Sequence, residues 1–459
     1  MRAPVGARTA LWGEGMNTMD VGQDRGLDRR QFLRRTGGAG ALLTVPGLLS
    51  ACGGDDDDSG GGGGGGDGEA VKIGYVTPST GALAPFAAAD DFTLTTIREV
   101  VKDGLQTANG TRQVEIIVKD SQSNPDRAGA VASDLILKDG VDLVVVASTP
   151  ETTNPVSDQC ELNGMPCIST MAPWQSWFFP RKGDPEKPFK FTYHFFWGLE
   201  DLTATYVDMW DQVVTNKTVG ALWPNDGDGN AFADKANGFP PVLQKAGYRL
   251  VDPGRYENAA NDFSAQINRF KSGNAEILTG VPIPPDFTNF YKQASQQGYR
   301  PPVVTVAKAL LFDSSVDALG GNLGENLSTE VWWTPDVPFE SSLNGQSAKE
   351  LADGYAQASG KGWTQPIGYV HALFEVALDV LKRADPKDKD SVVKAITETD
   401  VRTIVGPVSW KEGPVANVAK SQLSGGQWRR ADSGWDLEIV SNKTAPDIET
   451  TSEMQLIES

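Results

Sequence analysis

Histidine and cysteine are scarce in this chain. Among 459 residues there are only two histidines and three cysteines. These side chains most often hold zinc or serve as base-activated nucleophiles in enzymes. This scarcity leaves few candidates for metal sites and for base-assisted nucleophiles, and we predict no catalytic residues, no metal site and no cofactor.

Positive charge is also in short supply. Lysine and arginine number 41 against 60 aspartates and glutamates, which gives a formal net charge of -19. Such a protein repels phosphate backbones and the anionic surface of a membrane. We predict no nucleic-acid partner. With 39% hydrophobic residues and a prior of one domain per roughly 150 residues, the chain should form two or three globular lobes.

The apolar run at residues 39–49 is too short to span a bilayer. It lies within DRRQFLRRTGGAGALLTVPGLLSAC, where basic residues, a short apolar stretch and small residues precede Cys52, as in an export signal. RRQFL resembles a twin-arginine signal, although an ordinary basic segment is the alternative, and LSAC resembles a lipoprotein box with an acylated cysteine. We predict an export signal over 1–51.

A low-complexity segment, GGDDDDSGGGGGGGDGE, follows Cys52 and has no apolar residue to bury. Such a composition is typical of a flexible tether. We predict that residues 52–69 link a lipidated Cys52 to the folded body. The protein would then lie at the extracytoplasmic face of the cell membrane or in the periplasm, attached by its lipid anchor only.

The other two cysteines, Cys160 and Cys167, stand close together in CELNGMPC. In an exported protein such a pair favours a disulfide, because Asn163 and Gly164 can turn the chain between them. Two buried free thiols are the alternative.

Apolar segments alternate with amphipathic ones from Val71 onward. A first series of strands is predicted at VKIGYV, VEIIV, VDLVVVAS and MPCIST, and a second at KTVGALW, YRLVD, AEILTGV and PPVVTVA. Between them Asn124 can cap a helix, Pro125 suits its first turn and Gly140 follows its end. Apolar strands separated by helices imply parallel sheets covered on both faces. We predict an α/β fold with two doubly wound parallel-sheet lobes.

Ligands of open parallel sheets bind at the carboxyl ends of the strands. The corresponding loops are predicted at 77–86, 148–154, 171–179, 223–230, 281–286 and 307–312. The loop MAPWQSWFF has four aromatic residues within six positions. We interpret Trp174 and Trp177 as ligand-lining residues, since exposed aromatic patches mark contact sites. Packing at the edge of the lobe is the alternative.

Longer motifs carry a resemblance to a known family. They are VKIGYVTPSTGALAPF, VKDSQSNPDRAGAVASDLILKDGVDLVVVASTPETTNPVSD, NDFSAQINRFKSGNAEILTGV and VGPVSW. In this order, over roughly residues 70–440, the chain resembles the substrate-binding proteins of ABC importers of the branched-chain amino-acid type. The resemblance implies a type I periplasmic-binding fold, a ligand cleft that closes by hinge motion, a membrane permease as partner and a monomeric state.

The resemblance also implies lobe boundaries. The first lobe is expected at 70–195 with 335–400, the second at 198–330 with 405–440, and a C-terminal tail at 441–459. The chain is expected to cross between the lobes near 193–199, 329–336 and 401–410.

Amino-acid-binding members of the family hold the α-carboxylate with hydroxyls and backbone amides, in loops that match 149–153 and 171–173. They meet the ammonium with an acidic residue after the strand that matches PPVVTVA. Here Pro173 falls at or near the hydroxyl position, and Ala307 or Lys308 replaces the acid. A lysine without a free anion disfavours an ammonium ligand. Aromatic walls with a few polar groups instead suit an apolar or aromatic solute with an acidic or polar head.

The predicted ligand contacts form four groups: a wall, a set of head-group donors, two anchors and the contacts from the second lobe. In that order they are Ser79, Thr80 and Phe86; Thr149, Thr152 and Thr153; Trp174 and Trp177; and Trp223, Asp228 and Lys308.

Other readings of the sequence are weaker. A sensory module with the same fold is one alternative function, and an exported hydrolase is another, although no credible nucleophile and base are present. Asp226 and Asp228 could bind Ca²⁺, but no twelve-residue loop with a terminal glutamate follows. The Ser391 and Lys394 spacing, which matches that of penicillin-recognising enzymes, is best explained by chance.

Overall fold

The computed structural model describes residues 69–432 and 434–458. The predicted export signal, the lipidated Cys52 and nearly all of the predicted tether lie outside the described residues. Within residues 69–432 and 434–458, none of the helices combines the length and apolar character needed to cross a bilayer.

Seventeen strands form in the described residues. They are β1 (Val71–Thr77), β2 (Leu105–Thr107), β3 (Gly110–Arg112), β4 (Val114–Asp120), β5 (Leu143–Ala147), β6 (Cys167–Thr170), β7 (Thr192–Phe195), β8 (Thr218–Leu222), β9 (Arg249–Val251), β10 (Ile277–Gly280), β11 (Val303–Val306), β12 (Ser328–Val331), β13 (Asp400–Thr403), β14 (Gly406–Ser409), β15 (Val418–Ala419), β16 (Leu423–Arg430) and β17 (Trp435–Thr444).

Thirteen α-helices accompany the strands in the same part of the chain. They are α1 (Asp90–Val100), α2 (Pro125–Asp134), α3 (Pro150–Leu162), α4 (Trp174–Phe178), α5 (Leu199–Asp211), α6 (Gly227–Phe232), α7 (Phe239–Lys245), α8 (Ser264–Ser272), α9 (Pro284–Gln296), α10 (Asp313–Asp317), α11 (Ala348–Ser359), α12 (Pro366–Arg383) and α13 (Lys389–Thr397).

Two large sheets organise these elements. The six-stranded sheet has the order β15-β7-β6-β5-β1-β4, and all of its strands are parallel. The seven-stranded sheet has the order β17-β16-β12-β11-β10-β8-β9. It is parallel from β9 to β12, and its last two strands, β16 and β17, are antiparallel. The predicted α/β fold with two parallel sheets is confirmed, with an antiparallel edge added to the second.

Both faces of the six-stranded sheet are covered, as the apolar strands predicted. In β5 the side chains of Leu143 and Val145 belong to the core that includes α12, while Val144 and Val146 pack on the other face with residues of α2 and α3. Successive side chains of a strand point to opposite faces, so a strand covered on both sides must be apolar throughout. The run LVVVA is fully buried for this reason.

The chain passes between the two sheets three times. The first passage follows β7 and the second follows β12. The expected third crossing at 401–410 is instead occupied by the antiparallel hairpin of β13 and β14. Gly406 allows this tight turn because its φ of 101° is accessible to glycine. The chain then returns to the six-stranded sheet as β15, so the third passage lies between β15 and β16.

The predicted disulfide is not formed. Cys160 and Cys167 are free thiols, and both are buried. The chain does turn at Asn163 and Gly164, which brings the end of α3 back to the start of β6. Both sulfur atoms enter the apolar core under α2, where a free cysteine packs as a small hydrophobic residue. The alternative of two buried thiols is the one that the structure supports.

Buried carboxyl groups predict an unusual dependence of stability on pH. Burial raises the pKa of Asp90, Glu330 and Glu375 to about 7 and that of Asp286 to about 6. Between about pH 4.5 and these values the folded protein holds protons that the unfolded chain has lost, so the free energy of unfolding falls as pH rises.

Two buried imidazoles oppose this trend without reversing it. Burial lowers the pKa of His194 to about 3 and that of His371 to about 4, which favours folding as pH rises toward about 6.5. The carboxyl groups with raised pKa values outnumber these two histidines. We expect the unfolding temperature, measured by circular dichroism, to fall from about pH 5 to about pH 8. Asp90→Asn should make this fall smaller, because it removes one of the carboxyl groups whose pKa is raised. The amide oxygen of the variant can still accept from Tyr75 and Thr77, so these contacts are kept. A constant or rising unfolding temperature would contradict the prediction.

Candidate ligand-binding site

A cavity with about 280 Å³ of empty space lies between the two sheets. This figure includes space that is open to solvent. The residues that line it are Phe86, Thr149, Met171, Pro173, Phe196, Trp197, Asp228, Phe232, Val281, Ala307, Lys308, Glu330 and Trp332.

The position of the cavity follows from the topology. Met171 and Phe196 come directly after β6 and β7 of one sheet, and Thr149 follows β5 of that sheet by two residues. Val281 and Ala307 come directly after β10 and β11 of the other sheet. The cavity therefore lies at the carboxyl ends of strands of both sheets, where ligands of parallel sheets bind.

Aromatic rings form the apolar wall. The ring of Trp332 stacks near that of Phe86, with centroids 6.2 Å apart and planes at 27°. The Phe196 ring meets that of Trp332 edge-on, with centroids 5.0 Å apart, and lies tilted by 32° against that of Trp197 at 4.8 Å. Phe232 of α6 adds a ring from the side of the seven-stranded sheet. Together these rings provide an apolar surface for a flat or branched solute.

Lys308 occupies a rare backbone conformation at the end of β11. Its φ is 64° and its ψ is -57°, and the N–H of Ala309 donates to the carbonyl oxygen of Ala307 at 2.6 Å. This is a γ-turn with positive φ, which is strained for a residue other than glycine. Strain of this kind costs on the order of 1–3 kcal/mol and is concentrated at functional sites. The turn places the Lys308 side chain in the cavity.

The Lys308 ammonium is paired with carboxylates from both sides of the cavity. Its Nζ lies 2.6 Å from Oδ2 of Asp228 and 3.3 Å from Oε1 of Glu151. Asp228 belongs to α6, which follows β8 of the seven-stranded sheet, whereas Glu151 belongs to α3, which packs on the six-stranded sheet. The pair with Glu151 therefore links the two sheets across the cavity.

The charges in this cluster have strongly perturbed pKa values. Burial opposes the charge of Lys308, but the carboxylates of Asp228 and Glu151 outweigh it and hold the Lys308 pKa well above its usual value. Burial raises the pKa of Glu151 to about 7, although Lys308 acts against this shift. Burial likewise raises the pKa of Asp228 against the effect of Lys308. At neutral pH the cluster therefore keeps a charged lysine.

Thr149 adds a hydroxyl group at the start of α3. It is the N-cap residue, yet its side chain makes no capping hydrogen bond. Its buried Oγ1 has no hydrogen-bond partner in the part of the chain that the structure describes. The N-terminus of a helix carries a partial positive charge that favours anions. Thr149, α3 and Lys308 together can receive an acidic or polar group.

Four of the predicted site residues meet in this cavity: Phe86, Thr149, Asp228 and Lys308. The other predicted hydroxyl residues do not line it. Ser79 and Thr80 are exposed, and the Thr80 hydroxyl donates to Asp120 at 2.7 Å. The Thr152 hydroxyl donates to the Ser148 hydroxyl at 2.6 Å, and the Thr153 hydroxyl donates to the Ser148 carbonyl oxygen at 2.8 Å.

The predicted tryptophan anchors lie outside the cavity. The segment around Trp174 and Trp177 is the short helix α4 rather than a loop, and both rings belong to a separate apolar cluster. The Trp177 ring stacks on His194, with centroids 4.9 Å apart. Trp223 is fully buried and packs under the guanidinium of Arg255. These positions agree with the alternative interpretation, in which the aromatic residues pack inside the protein.

Sequence reasoning missed most of the aromatic wall. Phe196, Trp197, Phe232 and Glu330 line the cavity but are not among the predicted ligand contacts. Trp332 is also absent from the predicted contacts; it lines the cavity, whereas its neighbour Trp333 packs on Gly368. Their position in the sequence could have identified them, because Phe196, Trp197 and Trp332 lie within two residues of the ends of β7 and β12, where the chain leaves one sheet for the other.

The two α/β layers and the cavity between them define a type I periplasmic-binding fold. The sequence model of the periplasmic binding protein family matches residues 70–432. The chain belongs to the periplasmic binding protein family. None of the curated proteins compared with it matches.

Solved structures share the fold. A leucine-binding protein from Thermotoga maritima is 17% identical, with a TM-score of 0.67 over 81% of this chain and 99% of that one. A branched-chain amino-acid transporter substrate-binding protein from Streptococcus pneumoniae, in complex with isoleucine, is 14% identical, with a TM-score of 0.65 over 81% and 100%. An ABC transporter solute-binding protein from Rhodopseudomonas palustris, in complex with 3,4-dihydroxybenzoic acid, is 18% identical, with a TM-score of 0.65 over 83% and 99%.

Proposed function

We propose that this protein is the extracytoplasmic solute-binding component of an ABC importer and that its ligand is a small aromatic or apolar carboxylate. The protein captures the solute by closing its two lobes and presents it to a membrane permease. It acts as a monomer, held at the membrane by a lipid on Cys52. Members of its family are binding proteins, and no bond is made or broken.

The cavity carries this proposal. Its aromatic wall suits an apolar body, and its polar end combines the Lys308 ammonium, the Thr149 hydroxyl and the N-terminus of α3. An aromatic acid is the reported ligand of one of the structures with the same fold. These features together favour a carboxylate whose head group lies near Lys308 and whose body lies among the rings.

An α-amino acid fits the same cavity less well. Glu330 is an acidic residue that lines the cavity, but its carboxylate already accepts from the Lys308 backbone N–H at 3.0 Å and from the Tyr206 hydroxyl at 2.9 Å. Asp228 is already paired with Lys308. A ligand ammonium would therefore have to share the carboxylates of Asp228 and Glu151 with Lys308, and two adjacent cations repel each other strongly in a buried site.

Binding of a ligand panel tests the proposal. We expect benzoate or a hydroxybenzoate to raise the unfolding temperature of the full-length protein. Titration calorimetry should give a dissociation constant near the micromolar range, which corresponds to a binding free energy of about -8 kcal/mol. Leucine, isoleucine and glucose serve as comparison ligands. Stabilisation by leucine or isoleucine but by no carboxylate without an amino group would show that the proposed ligand class is wrong. A response to glucose alone would contradict the role of Lys308.

A further inference from the structure

Two tryptophans in the wall of the cavity have hydrogen-bond donors that nothing in the described chain uses. Trp197 and Trp332 are 2% and 5% exposed, and both line the cavity. The indole Nε1 of each is buried and has no acceptor within residues 69–432 and 434–458. Buried polar groups are nearly always hydrogen-bonded, because an unpaired donor costs on the order of 1–3 kcal/mol. Two such donors in one wall call for an explanation.

A second observation places these donors in a wider pattern. Among the residues that line the same cavity, the Thr149 hydroxyl and Oδ1 of Asp228 are also buried, and neither finds a partner in the described part of the chain. Four unpaired polar atoms therefore surround one small volume. An acceptor oxygen on a solute would satisfy the two indole donors and the Thr149 hydroxyl, whereas the Asp228 oxygen can itself only accept.

The chemistry of the four atoms restricts the solute. Indole N–H groups can only donate, so Trp197 and Trp332 require an acceptor atom. Their rings belong to the apolar wall, whereas Thr149 and Asp228 lie at the polar end with Lys308. The acceptor for the indoles is thus carried on the body of the solute, apart from its charged head.

We propose that Trp197 and Trp332 determine specificity by donating their indole N–H groups to a hydroxyl or carbonyl oxygen on the body of the ligand. This inference rests on the proposed function and narrows it, because the preferred ligand becomes an oxygen-substituted aromatic or apolar carboxylate. A site built to hydrogen-bond such an oxygen discriminates strongly against an analogue that lacks it, since the donors are then left unpaired.

Both tryptophans also lie where the chain leaves one sheet for the other. Trp197 follows β7 by two residues, and Trp332 directly follows β12. A hydrogen bond from each indole to the ligand would fix two of the three connecting segments, so recognition of the oxygen would be coupled to closure of the lobes.

The test compares benzoate with its monohydroxylated forms on the wild-type protein and on Trp197→Phe and Trp332→Phe. Phenylalanine keeps an aromatic ring and removes the N–H. For the wild type we expect at least one hydroxybenzoate to bind about tenfold more tightly than benzoate, a difference of about 1.4 kcal/mol. In each variant this preference should shrink to less than about threefold, whatever the loss of ring area does to the affinity for benzoate itself.

Trp223→Phe is the matched control. Trp223 is also fully buried with an unpaired Nε1 in the described chain, but it does not line the cavity. This variant suffers the same loss of ring volume and should keep the wild-type preference. Equal weakening of benzoate and hydroxybenzoate in the cavity variants would assign the two tryptophans to packing and overturn the inference. Binding of benzoates without a hydroxyl preference in the wild type would overturn it while leaving the proposed function intact, and binding of leucine alone would contradict both.

Discussion

Trp177→Ala is expected to lower the free energy of unfolding by about 3–5 kcal/mol, the range for removing a large aromatic side chain from a packed core. The Trp177 ring is completely buried. It stacks on His194, lies 4.5 Å from the guanidinium of Arg181, and its Nε1 donates to Ser157 at 3.1 Å. Urea unfolding followed by circular dichroism measures the change.

Phe179→Ala provides the control within the same aromatic segment. Phe179 is 41% exposed, so its loss should change the free energy of unfolding by less than about 1 kcal/mol. A stable Trp177→Ala variant that has lost ligand binding would contradict the structure, because it would return Trp177 to the ligand wall that the sequence suggested. Loss of stability in Trp177→Ala and not in Phe179→Ala would explain the aromatic segment as the packing between α3, α4 and β7.

The fold could be predicted because its signals are local. The helix expected after Asn124 illustrates this: the Asn124 side chain accepts from the Arg127 N–H, Pro125 begins α2, and Gly140 ends the following turn with a φ of 64°. Each feature depends on residues a few positions apart. The apolar strands of the two sheets could be read in the same way, because burial on both faces leaves continuous apolar runs.

The site was predicted only in part because its residues are distant in sequence. Phe86, Thr149, Asp228 and Lys308 could be placed at strand ends, and the topology brings strand ends together. Whether an aromatic residue near a strand end faces the cavity or the core depends on contacts that the sequence does not display. Trp177 turns toward His194 and Ser157, while Trp197 lines the cavity.

The partners of Lys308 were hidden for the same reason. Asp228 and Glu151 are 80 and 157 residues away in sequence, and they meet the lysine only because α3 and α6 approach each other across the cavity. The family resemblance implied that Ala307 or Lys308 stands at the family's acidic position. It did not show that the lysine is neutralised by two carboxylates from opposite sides.

Lys308→Met is expected to lower the free energy of unfolding by about 3–5 kcal/mol near pH 8, because it leaves two buried carboxylates without their cation. The side chains of Lys308 and Asp228 are only 5% and 3% exposed. The loss should be smaller near pH 5, since carboxyls with raised pKa values can then take up protons. Chemical unfolding at the two pH values measures both effects.

Two further variants separate charge from packing. Lys349→Met removes a lysine whose pair with Asp353 is 67% and 66% exposed, and it should cost less than about 1 kcal/mol, as surface ion pairs do. Combining Lys308→Met with Asp228→Asn and Glu151→Gln removes the uncompensated charges and should recover stability near pH 8. If Lys308→Met is as stable as the wild type at that pH, the ion pairs across the cavity do not hold the two sheets together. If instead the combined variant recovers stability yet binds no benzoate, the lysine charge serves the ligand as well as the fold.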